Sequence, residues 1–162
     1  MSDPVQAFLT EWEREFAATA RVMGSLPPTA LGWRPHPKSM AAGELAWHLV
    51  SAERAAVGFY LAGRMLREAG PETPASLQGM IQAYALQHQD LSDKVRKAPA
   101  EAWTRTFPFS DGQTVTGAWV LERMILRHAV HHRGQLTVYL RLLGAKVPAV
   151  YGPTADDAKS AR

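Results

Sequence analysis

Apolar residues recur at steps of three and four in four separate stretches of this chain, with proline and glycine standing between the stretches. At ~100° per residue that spacing gathers the apolar side chains on one face of an α-helix. Such faces are buried by packing helix on helix, and four of them are what a helix bundle requires. The first stretch carries Val5, Phe8, Leu9, Trp12, Phe16 and Met23. It opens behind Asp3-Pro4, a capping side chain followed by proline at the first helical position, and closes at Gly24 before Pro27-Pro28. The second, with Leu45, His48, Leu49, Ala52, Ala56 and Phe59 on one stripe, is expected from about Ser39 to Arg67. Thr73-Pro74 repeats the cap-plus-proline start and predicts a third helix through Leu77, Met80, Ile81, Tyr84, His88, Leu91 and Val95, ending before Pro99. The fourth is expected from Thr116, with Leu121, Ile125, His128, His132, Leu136, Tyr139 and Leu143 inward and Gly144 as its stop.

Between these helices, residues 27–38 hold too many prolines for regular helix and read as an ordered connection anchored by Trp33. Its length argues against a simple up-down-up-down arrangement. Residues 103–115, with Asp111-Gly112 at a turn, predict a short β-ribbon or extended loop before the last helix. Pro148 to Pro153 form an extended segment, expected to pack over the bundle through Val150 and Tyr151. One domain over residues 1–154 with a flexible tail over 155–162 is the expected organisation.

Bulk properties narrow the function classes. The chain of 162 residues contains no cysteine, which excludes disulfides and thiolate metal ligands. No apolar run approaches the ~18 residues that cross a bilayer, so no membrane partner is expected. The N-terminal residues lack the zones of a signal peptide, and a cytoplasmic location is expected. The net charge of +3 and pI of 9.4 invite a nucleic-acid reading. However, the basic residues, Arg133 among them, are scattered with acids between them and form no dense run. They read as a solvated surface, as do Glu53 and Arg54, and no nucleic-acid partner is expected.

Six histidines remain, at 36, 48, 88, 128, 131 and 132. Residues four apart on a helix are displaced by only about 40°, so His128 and His132 stand one above the other and can grip one metal ion. His48 lies on the inward stripe of the second helix, where a buried imidazole needs a partner and an ion supplies one. Three histidines leave an open coordination position, the arrangement of catalytic rather than closed structural metals. Glu44, one turn before His48, is placed to orient its ring. Gln135 is expected to point into the bundle beside the pair, as a donor behind a ligand or a contact for substrate, and His131 to flank the site or pack elsewhere. His88 reads as a hydrogen-bonded core residue and His36 as a loop residue. Metal binding is expected to weaken as pH falls through ~6.5, where free imidazoles take up protons.

Two of these motifs, Glu44-Leu45-Ala46-Trp47-His48-Leu49 and His128-Ala129-Val130-His131-His132-Arg133-Gly134-Gln135-Leu136, resemble the DinB family, the DinB/YfiT-like group of bacterial damage-inducible and metal-dependent proteins. The resemblance extends to Arg34-Pro35, Asp111-Gly112, Val147-Pro148 and Tyr151-Gly152-Pro153. It implies an all-α four-helix bundle with up-down-down-up connectivity. It also implies a metal ion, nickel or zinc, held by His48, His128 and His132. Relatives often carry Ser or Thr three residues before the glutamate of the second helix, where this chain has Ala41. Characterised members use low-molecular-weight thiols such as bacillithiol and mycothiol. The resemblance therefore implies an S-transferase or isomerase acting on a small molecule, and a homodimer. A dimer also fits the large aromatics Trp12, Trp103 and Trp119, more than one small bundle readily hides. A metal-dependent hydrolase, and a stress-response bundle in which the ion only locks the helices, are the alternative implications.

Overall fold

The computed structural model describes residues 3–66, 70–109 and 112–157. Four long helical runs dominate it. α1 is Pro4–Gly24, α2 is Ala42–Ala62 and α3 is Leu77–Lys97. A short α4, Glu101–Thr104, leads into an antiparallel ribbon of β1, Thr106–Pro108, and β2, Thr114–Thr116. The last run begins as α5, Gly117–Leu121, widens into a π-helical segment over Glu122–Arg127, and continues as α6, His128–Leu142.

Local chemistry sets most of the boundaries. Asp3 accepts from the Val5 amide and caps α1 as expected, and Thr116 accepts from Trp119 N and caps α5. Three boundaries differ from expectation. α2 starts at Ala42, not near Ser39, and ends at Ala62, because Gly63 takes a left-handed conformation (φ 71°) and its N–H returns to Phe59 O. Residues 63–66 are therefore outside the helix, and Arg67 lies outside the described residues. α3 starts after Ser76, whose hydroxyl accepts from Gly79 N, rather than at Thr73-Pro74. Of the turn expected at Asp111-Gly112, Asp111 lies outside the described residues, while Gly112 has φ 72°.

The connectivity follows from which residues share a core. One apolar cluster joins Phe8 and Trp12 of α1 to Phe59 and Tyr60 of α2, Leu91 and Val95 of α3, and Val120 and Leu121 of α5. The other joins Val22 and Met23 to Leu45 and Leu49, Leu77 and Met80, and Leu136 and Leu140. The first cluster takes the start of α1 and of the last run but the ends of α2 and α3; the second takes the opposite halves. α1 and the last run therefore point one way and α2 and α3 the other, an up-down-down-up four-helix bundle. α1 packs on α3 and α6, and α2 also packs on α3 and α6. The link between α1 and α2 thus crosses the end of the bundle. It is ordered by Ala42 N–H to Trp33 O and Gly43 N–H to Leu31 O, with Trp33 set edge-on against Tyr139.

A polar layer separates the two clusters at the waist. Arg133 and Glu15 form a buried ion pair, Arg133 also reaches Thr19, and Tyr84 donates to Glu53 at 2.9 Å. His88, buried as expected, contacts Glu13 through Nε2 at 3.0 Å and stacks on Phe16. This corrects the solvated reading of Arg133 and Glu53, which are 2% and 3% exposed. The Arg54 side chain is partly buried, with its guanidinium beneath Gly70. Arg133, Glu15 and Glu53 face inward because each meets a hydrogen-bonding partner from another helix, which offsets the cost of leaving water.

The C-terminal segment also differs from expectation. Asp156 accepts from Arg141 and Val147 N, and Asp157 accepts from Thr154 N, so residues 155–157 belong to a capped turn rather than a flexible tail. Residues 158–162 lie outside the described residues. Val150 packs on the second core cluster; Tyr151 is 71% exposed, yet its hydroxyl reaches Glu15 and Arg133. No helix among the described residues is long and apolar enough to cross a membrane.

Candidate metal centre

His48 on α2 and His128 and His132 on α6 meet in the groove between the two helices. Each is half-buried, and one donor nitrogen from each lies within 4.8 Å of the others. The Nε2 atoms of His48 and His128 are 3.1 Å apart. Two nitrogens bound to one tetrahedral ion at 2.0–2.1 Å stand roughly 3.3 Å apart, so this pair already has the bite of a chelate. The three rings are steeply inclined to one another, at 61° to 87°, with centroids 4.3 to 4.9 Å apart. The three histidines can hold a metal ion.

The protonation chemistry agrees with that use. Burial, then the imidazoles of His132, His48 and His131, push His128 down to about 4. Burial and His132 lower His48 as well. Both rings are thus held neutral, the form that offers a lone pair. His132 Nδ1 lies 2.7 Å from Gln135 Oε1. An amide oxygen accepts, so Nδ1 carries the proton and Nε2 presents its lone pair to the groove.

The other expected site residues are placed as follows. Gln135 is exposed rather than turned into the bundle, but reaches His132 from outside. His131 is exposed and flanks the site, its ring 4.8 Å from that of His132. Glu44 turns away from His48. Its Oε2 accepts from Ala41 N at 2.6 Å, and Oε1 lies 3.5 Å from Arg34. Because Ala41 has no acceptor to return, only half of a reciprocal helix cap is made. Sequence spacing missed Arg133, Glu15 and Thr19, which hold α6 against α1 beside the site. A second inward stripe, Ala129, Arg133, Leu136 and Leu140, was the signal for Arg133.

The DinB family model matches residues 1–162. The chain belongs to the DinB family. It is 28% identical to the uncharacterised protein YrdA of Bacillus subtilis (strain 168), over 97% of this chain and 93% of that one. The crystal structure of a DinB-like protein from Bacillus cereus ATCC 10987 has a TM-score of 0.78 at 25% identity, covering 93% of this chain and 100% of the other. That of the DinB-like YjoA from Bacillus subtilis has a TM-score of 0.75 at 20% identity, covering 91% and 99%, and shows the shared fold.

Proposed function

We propose that this DinB protein is an enzyme that binds one divalent transition-metal ion, nickel or zinc, through His48, His128 and His132. In this reading it acts with a low-molecular-weight thiol, as an S-transferase or isomerase on a small molecule. One observation carries the proposal: three imidazole donors converge, and no fourth protein ligand joins them among the described residues. Three ligands hold an ion and leave a position for substrate, where a fourth side chain would close the site.

Neutral donors favour a thiol. With imidazoles as the only protein ligands, the ion's charge is not offset by carboxylate, so the open position attracts an anion. A bound divalent ion would lower the pKa of a thiol there and present it as a nucleophile. The protein's own part is to keep His48 and His128 unprotonated, to orient His132 through Gln135, and to hold the three half-buried donors within reach of one ion.

The test is absorption spectroscopy of the cobalt- or nickel-loaded protein with bacillithiol, mycothiol and simpler thiols, followed by electrophile consumption by the zinc or nickel form. A thiolate-to-metal charge-transfer band and metal-dependent thiol consumption are expected. If no thiol changes the spectrum while ester or amide substrates are cleaved, the hydrolase reading replaces this one. A fully ligated site that takes neither leaves the ion a structural role.

The same reading includes a homodimer. Trp12 no longer argues for it, being 1% exposed in the core. Val138 and Leu142, one turn apart on α6, are 56% and 60% exposed and give an apolar strip for a second copy. A monomer by light scattering at micromolar concentration contradicts it.

A further inference from the structure

Arg133 follows the ligand His132 directly, yet faces another way. At ~100° per residue its side chain points ~100° from His132 and ~140° from His128, into the interface of α6 with α1. There its side chain is 3% exposed. Nη1 donates to Glu15 O and Thr19 Oγ1, both at 3.1 Å, and Nη2 donates to Glu15 Oε2 at 2.5 Å. Nη2 also reaches the Tyr151 hydroxyl, which itself donates to Glu15 Oε2 at 2.8 Å. The guanidinium lies 5.1 Å from the Tyr151 ring centre. Every one of these partners belongs to α1 or the C-terminal segment.

The helix just before the ligands is wide. Over Glu122–Arg127 the run is π-helical, so the rotational phase of α5 is not passed to α6 as a regular α-helix would pass it. The direction of His128 and His132 then depends on what α6 itself packs against, and besides the apolar contacts of Ala129, Leu136 and Leu140 it needs a group that fixes the helix's rotation. A planar fork held by α1 on one side of the helix does this. The leverage is large: a ~20° rotation carries a ring nitrogen ~6 Å from the helix axis through about 2 Å. Metal–ligand distances tolerate only about 0.2 Å.

We infer that Arg133 is the positioning residue of the metal centre, and that Glu15, Thr19 and the C-terminal Tyr151 form a clamp that fixes, through it, the direction of His128 and His132 toward His48. The inference rests on the three-histidine metal reading for its consequence and on the α1–α6 contacts for its geometry. Because coupling between two sites is reciprocal, a bound ion should in turn hold the Tyr151 segment more tightly.

The experiment titrates cobalt(II) into metal-free wild type, Arg133→Met, Arg133→Lys, Tyr151→Phe and Thr19→Val. It also measures, by NMR without metal, the through-space contact between the rings of His48 and His128. Circular dichroism establishes which variants are folded. Arg133→Met is expected to lose affinity at least about tenfold, the usual effect of removing a group that orients a ligand, and to lose the ring contact. Arg133→Lys, which cannot fork, should not restore either. Tyr151→Phe and Thr19→Val, each removing one arm, should give smaller losses. Hydrogen exchange at residues 147–157 should slow when cobalt binds wild type. Affinity within about twofold of wild type in folded Arg133→Met, with the ring contact kept, overturns the inference. If Arg133→Met fails to fold, unchanged affinity in both single-arm variants overturns it. If wild type binds no cobalt but Arg133→Met still loses the ring contact, the clamp stands and the metal reading fails.

Discussion

His48 and His128 are 80 positions apart in the chain, yet their Nε2 atoms lie 3.1 Å from each other. Without an ion, that separation needs one ring to donate to the lone pair of the other. With an ion, both lone pairs turn to it. Gln135 holds the third ring, His132, in the tautomer that leaves Nε2 free. Removing the amide in Gln135→Ala should therefore weaken metal binding by about tenfold while leaving the fold intact, since Gln135 is exposed. Competition titration against a chromophoric chelator measures this. Unchanged affinity would mean that the tautomer is set by something else.

The pH dependence of stability follows from the lowered histidines. His128 titrates at about 4 when folded, and His48 is also lowered, against ~6.5 for both in an unfolded chain. Between those values the unfolded chain binds more protons, so the stability of the metal-free protein rises with pH across that window. The contribution is complete above ~6.5 and is lost as pH falls toward 4. Replacing His128 with Asn should flatten the dependence of Tm on pH between 4 and 6.5, and an unchanged slope would contradict the assignment. Metal retention should also extend below the ~6.5 expected from free imidazoles, because protons compete less at these two rings.

Two glycines separate packing from propensity. A Cβ on Gly117 would lie 1.9 Å from Ala102 O and 2.8 Å from Tyr60 Cε2, whereas one on Gly134 would meet nothing within 4 Å. Gly117→Ala must push α4 from α5 and should destabilise by about 3 kcal/mol or more. Gly134→Ala only gains helix propensity and should be neutral or stabilising by up to about 1 kcal/mol. Urea denaturation of both variants is the check, and equal effects would refute the packing account.

At the waist, Tyr84 donates to the buried carboxylate of Glu53, and burial followed by Glu53 raises the Tyr84 phenol well above its ordinary value. Tyr84→Phe should cost about 1.5–3 kcal/mol, the range for a hydrogen bond to a charged group. In Tyr84→Phe/Glu53→Leu, where both partners are apolar, part of that loss should return. A double-mutant cycle by denaturation reads the coupling, and strict additivity would show that the pair does not interact.

The bundle and its three histidines were legible because each depends on spacing along a single helix. The stripe through Leu45, His48 and Leu49 and the pair His128–His132 follow from helical geometry alone. What was hidden depends on contacts between helices. Arg133, Glu15 and Glu53 look like surface charges until partners on other helices are known, and those partners lie far away in sequence. The early stop of α2 comes from Gly63, whose φ of 71° no apolar periodicity reveals. The π-helical segment has no local signature at all, since Glu122–Arg127 reads as ordinary amphipathic helix. Glu44 was misplaced for a simpler reason: with Ala41 unable to cap, the glutamate serves the start of α2 instead of His48.

The central claim is that His48, His128 and His132 form one metal site, and metal content tests it most directly. Wild type and the alanine variants of these three, of His131 and of His88 are loaded in turn with nickel, zinc, cobalt, manganese and iron. Each is dialysed against a mild chelator and analysed for metal. Wild type, His131→Ala and His88→Ala should retain about one ion per chain, while each of the other three should lose it, because two ligands cannot hold an ion firmly. Full retention by His48→Ala would remove α2 from the site, and a wild type that keeps none of the five metals would contradict the metal centre itself.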